Sequence, residues 1–184
     1  MNEPLEPEVT RSAMGGDPVA MDAVARHFRP AVYRYCRAHL PDPQTADDVT
    51  QEVLMAMIQA LPRHQAADHT VAAFVFGIAA NKVAMWHRAS YRRLEDLHEA
   101  APDRAETSPG PMDIAEANDA MRRIDLALAT LPGQLRQILL LRIAAGLSAE
   151  ETGQVLGMSP GAVRVAQHRA LARLRQSADL EALR

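Results

Sequence analysis

Prolines and glycines cut this chain into stretches whose apolar residues recur every three to four positions, and no stretch shows convincing alternation with a period of two. That pattern constrains the fold more than any other feature, because a 3.6-residue period buries one face of a helix while strands need period two. Asp17-Pro18 supplies an N-cap and a first-turn proline for a helix running to about Leu40, where Pro41 and Pro43 break it. A second helix is expected from Thr45 or Ala46, with Val49, Val53, Met57 and Leu61 inward and Pro62 as its stop. A third covers roughly Val71 to Tyr91. Ile114, Met121, Ile124 and Leu128 mark a fourth, and Pro132-Gly133 turns the chain. Leu135, Ile138, Leu139 and Ile143 form the inner face of a fifth, which Gly146 ends. The expected fold is all-α: a frayed tail over 1–15, a helical domain over 16–94, a flexible acidic linker over 95–113 and a second helical domain over 114–178.

Composition narrows the class. Aromatics make up 4% of the 184 residues, which suits small helical domains with aliphatic cores. The single cysteine, Cys36, leaves no internal disulfide and no cysteine-rich zinc site. The N-terminus lacks a basic start followed by an apolar run, and no stretch of about 18 uncharged apolar residues occurs. A cytoplasmic protein is therefore expected. No glycine-rich phosphate loop, catalytic carboxylate pair or His/Cys metal spacing is present, so neither an enzyme nor a bound cofactor or metal is expected.

The net charge of −3 hides segregation. Residues 69–94 hold Lys82, Arg88, Arg92 and Arg93 and no acid, and 159–175 hold Arg164, Arg169, Arg173 and Arg175 and no acid. Residues 94–119, between them, hold Glu95, Asp96, Glu99, Asp103, Glu106, Asp113, Glu116 and Asp119 against Arg104 alone. A solvated face explains one such block, but two acid-free basic segments point to nucleic acid.

Residues 147–175 read as a helix-turn-helix. Ser148 and Glu151 make a capping box, Leu156-Gly157 ends the first helix, Ser159 caps the second and Pro160 opens it. At 100° per residue, Val163, Ala166, Ala170 and Leu174 face inward, leaving Arg164, Val165, His168, Arg169 and Arg175 outward. Arg164 sits where such helices reach base edges, with geometry for guanine O6 and N7, and Val165 suits a thymine methyl. Arg169, Arg173 and Arg175 suit phosphates, and His168 either purpose.

"LPGQLRQILLLRIAAGLSAEETGQVLGMSPGAVRVAQHRALARLR" (131–175) resembles region 4 of bacterial extracytoplasmic-function sigma factors of the sigma-70 family. "GDPVAMDAVARHFRPAVYRYCRAHLPDPQTADDVTQEVL" (16–54) is similar to regions 2.1 and 2.2, and "FVFGIAANKVAMWHRASYRR" (74–93) to regions 2.3 and 2.4. "GIAANKVA" and "VRVAQHRAL" look most like an actinobacterial subgroup. The resemblance implies a dissociable initiation subunit of RNA polymerase. Its first domain would bind the β′ clamp helices and open −10 DNA. Its second would read −35 DNA and sit on the β flap, with the linker threading toward the RNA exit channel.

By that resemblance Asp47, Asp48, Gln51 and Glu52 would contact core polymerase. Asn81, Lys82, Trp86, His87, Arg88, Arg92 and Arg93 would handle −10 DNA, with Asn81 as the base reader. Ser159, Arg164, Val165, His168, Arg169 and Arg173 would handle −35 DNA. Core RNA polymerase, promoter DNA and an anti-sigma factor, often membrane-held in this family, are the implied partners, with no small-molecule substrate. Phe74 and Phe76 read as core. Four positions depart from the family pattern: Ala80 stands where many relatives have arginine, Thr152-Gly153 where Ile-Ala is usual, and Gln167 where an aliphatic side chain is typical. An independent repressor would need a dimer interface or ligand pocket that the N-terminal half does not announce.

Overall fold

The computed structural model describes residues 5–64, 70–98, 126–128 and 130–182, with side chains described as far as 92 in the fourth helix and 176 in the last. The regular elements are helical: α1 (Pro7–Met14), α2 (Pro18–Arg37), α3 (Pro43–Ala60), a 3₁₀ turn (Leu61–Arg63), α4 (Val71–His98), α5 (Gly133–Leu139), a π-helical turn (Leu140–Ala144), α6 (Ala149–Leu156) and α7 (Pro160–Ala182). No strand occurs among the described residues.

Local chemistry sets most helix starts. The Asp17 carboxylate accepts from the Ala20 amide at 2.8 Å, with Pro18 in the first turn. Asp42 repeats the device, accepting from the Thr45 amide at 2.8 Å and the Thr45 hydroxyl at 2.7 Å. Pro43 therefore opens α3 instead of breaking α2, and α3 starts two residues before Thr45. The expected inner stripe of Val49, Val53, Met57 and Leu61 is buried. Phe76 is buried edge-on to Tyr35 with ring centroids 5.8 Å apart, while Phe74 is partly buried and stacks on His64 at 4.3 Å.

Three further expectations are corrected. Residues 7–14 form α1 instead of a frayed tail: Ala13 is fully buried, and Leu5, Val9 and Met14 pack against the core. Eight residues cannot hold a helix alone, so packing on α2 and the 3₁₀ turn decides this one. Helix α4 runs to His98, taking residues 95–98 out of the expected linker, because the composition shift after Leu94 brings charges but no helix breaker. Residues 99–113 of that linker, and Ile114, Met121 and Ile124 of the expected fourth helix, lie outside the described residues.

The third correction concerns Ile143, which is 63% exposed instead of inward. Helix α5 does not continue as α-helix. The Ala145 amide bonds the Leu140 carbonyl at 3.0 Å, five residues back, and Gly146 closes the turn at φ 76°. This wider turn spends one extra residue. It carries Leu140 and Leu141 into the core behind Ile138 and Leu139, and rotates Ile143 out.

Side chains then tie the turn to α7. Arg142 Nε donates to Gln167 Oε1 at 2.9 Å, and Arg142 also donates to the Leu147 carbonyl. Gln167, unusual for its place, is thus the acceptor for a half-buried cation. Gln167→Leu is expected to cost about 1–3 kcal/mol by removing an acceptor from a charged donor. Chemical denaturation of the two proteins measures this, and equal midpoints would show that Arg142 is held by Leu147 alone.

The two expected domains pack on each other. One apolar cluster holds Val24, Val32, Tyr35, Val53 and Phe76 together with Leu139, Leu140, Leu141, Leu147 and Ala170. Hydrogen bonds cross the junction as well: Arg34 Nε to the Ala144 carbonyl at 3.1 Å, Arg136 Nη2 to the Ala38 carbonyl at 2.7 Å, and Thr70 Oγ1 to Glu151 Oε1 at 3.1 Å. Tyr35 is buried at this seam with the Gln137 side chain as hydrogen-bond partner, and burial pushes its hydroxyl well above the ordinary range.

Candidate nucleic-acid and polymerase interfaces

The helix-turn-helix forms as its caps require. The Ser148 amide donates to Glu151 Oε2 at 2.8 Å, and the Glu151 amide donates to Ser148 Oγ at 3.1 Å. Gly157 takes φ 66°, and the Met158 amide bonds the Gly153 carbonyl at 2.9 Å, the six-to-one bond of a Schellman end. Ser159 Oγ accepts from the Ala162 amide at 3.2 Å, so its hydroxyl proton remains available to a phosphate oxygen.

Helix α7 divides cleanly. Val163 and Ala170 are fully buried, and Ala166 and Leu174 are half-buried. Val163 meets Ile138 and Ala149, which locks α7 to α5 and α6. Arg164, Val165, His168, Arg169, Arg173 and Arg175 are exposed together with Ser159. Each residue expected at −35 DNA therefore stands on the open surface, with no carboxylate among them.

Residues expected at core polymerase line the start of α3. Asp48, Gln51 and Glu52 are exposed and Asp47 is half-buried. Gln51 Nε2 donates to Asp47 Oδ2 at 2.9 Å, Gln44 Nε2 to Asp48 Oδ1 at 3.2 Å, and Arg29 Nη2 lies 3.5 Å from Asp47 Oδ1. These exposed contacts order the side chains more than they stabilise the fold. Sequence reasoning missed two neighbours. Met55, 61% exposed, and Ile58, 38% exposed, follow Glu52 and Gln51 at helical spacing on the same face. The available signal was that both fall off the buried stripe of α3.

The residues expected at −10 DNA do not share one surface. Asn81, Arg88 and Arg92 are exposed at spacings that make one stripe along α4. Met85, 57% exposed, lies between them and was also missed. Lys82 turns toward α3, where Nζ pairs with Glu52 Oε2 at 2.9 Å. Trp86 and His87 are half-buried, edge-to-face at 5.2 Å, and line a cleft against Arg136 of the second half. The Arg93 side chain lies outside the described residues. Among the described residues no His, Cys, Asp or Glu cluster gathers to hold a metal, and no helix is long and apolar enough to cross a membrane.

Comparisons with known proteins place the chain in a family. The family description "Sigma-70 region 2" matches residues 24–93, and "Sigma-70, region 4" matches residues 121–174. The chain is 45% identical over 171 residues to the ECF RNA polymerase sigma factor SigD of Mycobacterium tuberculosis, covering 91% of this chain and 81% of that protein. It is 44% identical over 175 residues to the ECF RNA polymerase sigma factor ShbA of Streptomyces griseus, covering 91% and 92%. Among solved structures, CnrH in complex with the cytosolic domain of CnrY shares the fold with TM-score 0.71 at 23% identity, covering 94% of this chain and 96% of that one. RpoE in complex with the anti-sigma factor NepR from Bartonella quintana shares it with TM-score 0.65 at 20% identity, covering 84% and 94%. The chain belongs to the extracytoplasmic-function RNA polymerase sigma factors of the sigma-70 family.

Proposed function

We propose that this sigma factor carries core polymerase to promoters with three separate surfaces. The exposed face of α3, with Asp48, Gln51, Glu52, Met55 and Ile58, docks on the β′ clamp helices. The α4 stripe of Asn81, Arg88 and Arg92 holds opened −10 DNA, with the Asn81 amide donating to and accepting from one base edge. The α7 face reads −35 DNA. The observation that carries this reading is the exposed face of α7 over residues 160–175, which holds no acid, beyond a fully capped helix-turn-helix.

Trp86 and His87 join the −10 surface only when the second half moves away, because Arg136 lines the same cleft in the packed arrangement. The protein works in the cytoplasm, where polymerase and promoter meet. An anti-sigma partner, anchored at the membrane, is expected to hold it inactive; CnrH and RpoE are solved with CnrY and the anti-sigma factor NepR respectively.

In vitro transcription tests the whole reading. Purified protein is added to core polymerase with a pool of genomic promoter fragments, and the 5′ ends are sequenced. Starts that share spaced −35 and −10 elements are expected. DNA binding without core-dependent initiation would favour a repressor.

Two arginines of α7 separate sequence reading from affinity. Arg164→Ala is expected to relax base preference at one −35 position by roughly 5- to 150-fold, the value of one bidentate base contact. Arg173→Ala should weaken binding evenly across sequences and lower the salt slope by about one. A sequence-selective loss at Arg173 would reverse the two assignments.

A further inference from the structure

Two adjoining clefts of about 300 Å³ and about 330 Å³ open where the two halves meet, and both are lined by His39, His87 and Arg136. Arg37 and Trp86 complete one, and Tyr35 and Gln137 flank the other. Among the described residues no carboxylate lines either. Two guanidinium groups meet here, Arg37 from the end of α2 and Arg136 from α5, with the His87 imidazole from α4.

Arg136 is the least satisfied of them. Its Nη2 donates to the Ala38 carbonyl, while its Nε is buried with no hydrogen-bond partner. A half-buried guanidinium without a counter-anion loses hydration that one carbonyl does not replace. The surroundings carry the mark of that positive field. Burial pushes His39 down to about 4, and Arg136 and His87 push it the same way. His39 is therefore neutral at pH 7. Its Nδ1 lies 2.9 Å from the Tyr35 carbonyl and donates to it. That assignment leaves Nε2 as an acceptor.

A ligand matched to this cleft carries negative charge for Arg136 and Arg37, an acceptor for a ring N–H of His87, and one hydroxyl proton for the neutral His39 imidazole. We propose that the cleft between the two halves binds a hydrogen phosphate ion, held by Arg37, His87 and Arg136 and donating its remaining proton to His39. Inorganic phosphate keeps at least one proton at neutral pH, whereas sulfate has none to donate. Arg37, His39, His87 and Arg136 all line the cleft of about 300 Å³, so the ion sits there, beside Trp86. The ion bridges α2 and α4 to α5, so it favours the packed arrangement of the two halves. The assignment does not rest on the transcriptional role.

Trp86 is the only tryptophan of the chain and lies on the cleft wall, so its fluorescence reports occupancy directly. Phosphate is titrated into the full-length protein at pH 7 and fixed ionic strength, with sulfate, chloride and ATP as separate titrants. A saturable change with phosphate, absent with sulfate and chloride, is expected. At ten times the dissociation constant, phosphate should also raise the melting midpoint by roughly 3–6 °C. Arg136→Gln and Arg37→Gln should each abolish both responses, since both guanidinium groups line the cleft. Arg26→Gln, at an exposed arginine paired with Asp22, should keep both. A response that survives in Arg136→Gln and Arg37→Gln overturns the site. An equal response to sulfate overturns the hydrogen phosphate assignment, and a response to ATP alone moves the ligand to the nucleotides. Quenching only by a short single-stranded oligonucleotide would make the cleft part of the DNA surface instead.

Discussion

Gly153→Ala is expected to destabilise the helix-turn-helix, although alanine is the better helix former. Gly153 is buried in the middle of α6, and a Cβ built there would overlap the Met158 carbonyl oxygen and come within 3.5 Å of its carbon. The Met158 peptide cannot simply withdraw. Its amide bonds the Gly153 carbonyl, and the next residue, Ser159, caps α7. Helix propensity favours alanine by about 1 kcal/mol. Overpacking against backbone costs about 1–3 kcal/mol and more where nothing can shift. The second effect wins, leaving a net loss of about 2 kcal/mol and a drop of roughly 4–8 °C in midpoint. Thermal unfolding checks the sign, and −35 DNA binding should fall with it because the start of α7 must move. A variant as stable as the parent would mean that α6 and α7 can separate without loss.

That glycine marks the boundary of what the sequence discloses. Caps are local, so Ser148, Glu151, Gly157, Ser159 and Pro160 could be read from spacing alone, and the structure places each as expected. The inward stripe of α3 was equally legible because its period is regular over four positions. Pro43 was misread because proline both ends and begins helices, and only the Asp42 carboxylate before it decides which. Ile143 was misplaced because a π-helical turn leaves no composition signal. The split of the −10 residues into an exposed stripe, an α3 pair and a cleft was out of reach, since it depends on how two distant segments pack. Met55 was overlooked for a related reason: an exposed methionine is unremarkable until its neighbours on the face are known.

Met55→Glu should break core polymerase binding while leaving the fold intact. Met55 projects from α3 one turn beyond Gln51 and Glu52, with Ile58 a further turn along. An unbranched, polarizable side chain at the centre of a polar patch is the kind that supplies the dry core of an interface. Burying it is worth about 1.5–3 kcal/mol. Glutamate forfeits that and must desolvate a charge, so a loss of about 2–4 kcal/mol is expected, or roughly 30- to 1000-fold in affinity. Melting should stay within about 1 °C of the parent, because substitutions at exposed positions usually change stability little. Val19→Glu on α2 provides the control: Val19 is 78% exposed but lies outside the proposed docking face, so polymerase affinity should be unchanged. Competition of each variant against labelled parent for core enzyme gives the ratio. If Met55→Glu competes like Val19→Glu, the exposed face of α3 is not where polymerase docks. If it fails while its helix-turn-helix still binds −35 DNA, polymerase docking and promoter reading are separable, and Glu52 is the next residue to test. Its pair with Lys82 ties the docking face to α4, so Glu52→Gln would show whether docking on α3 releases that lysine toward the DNA.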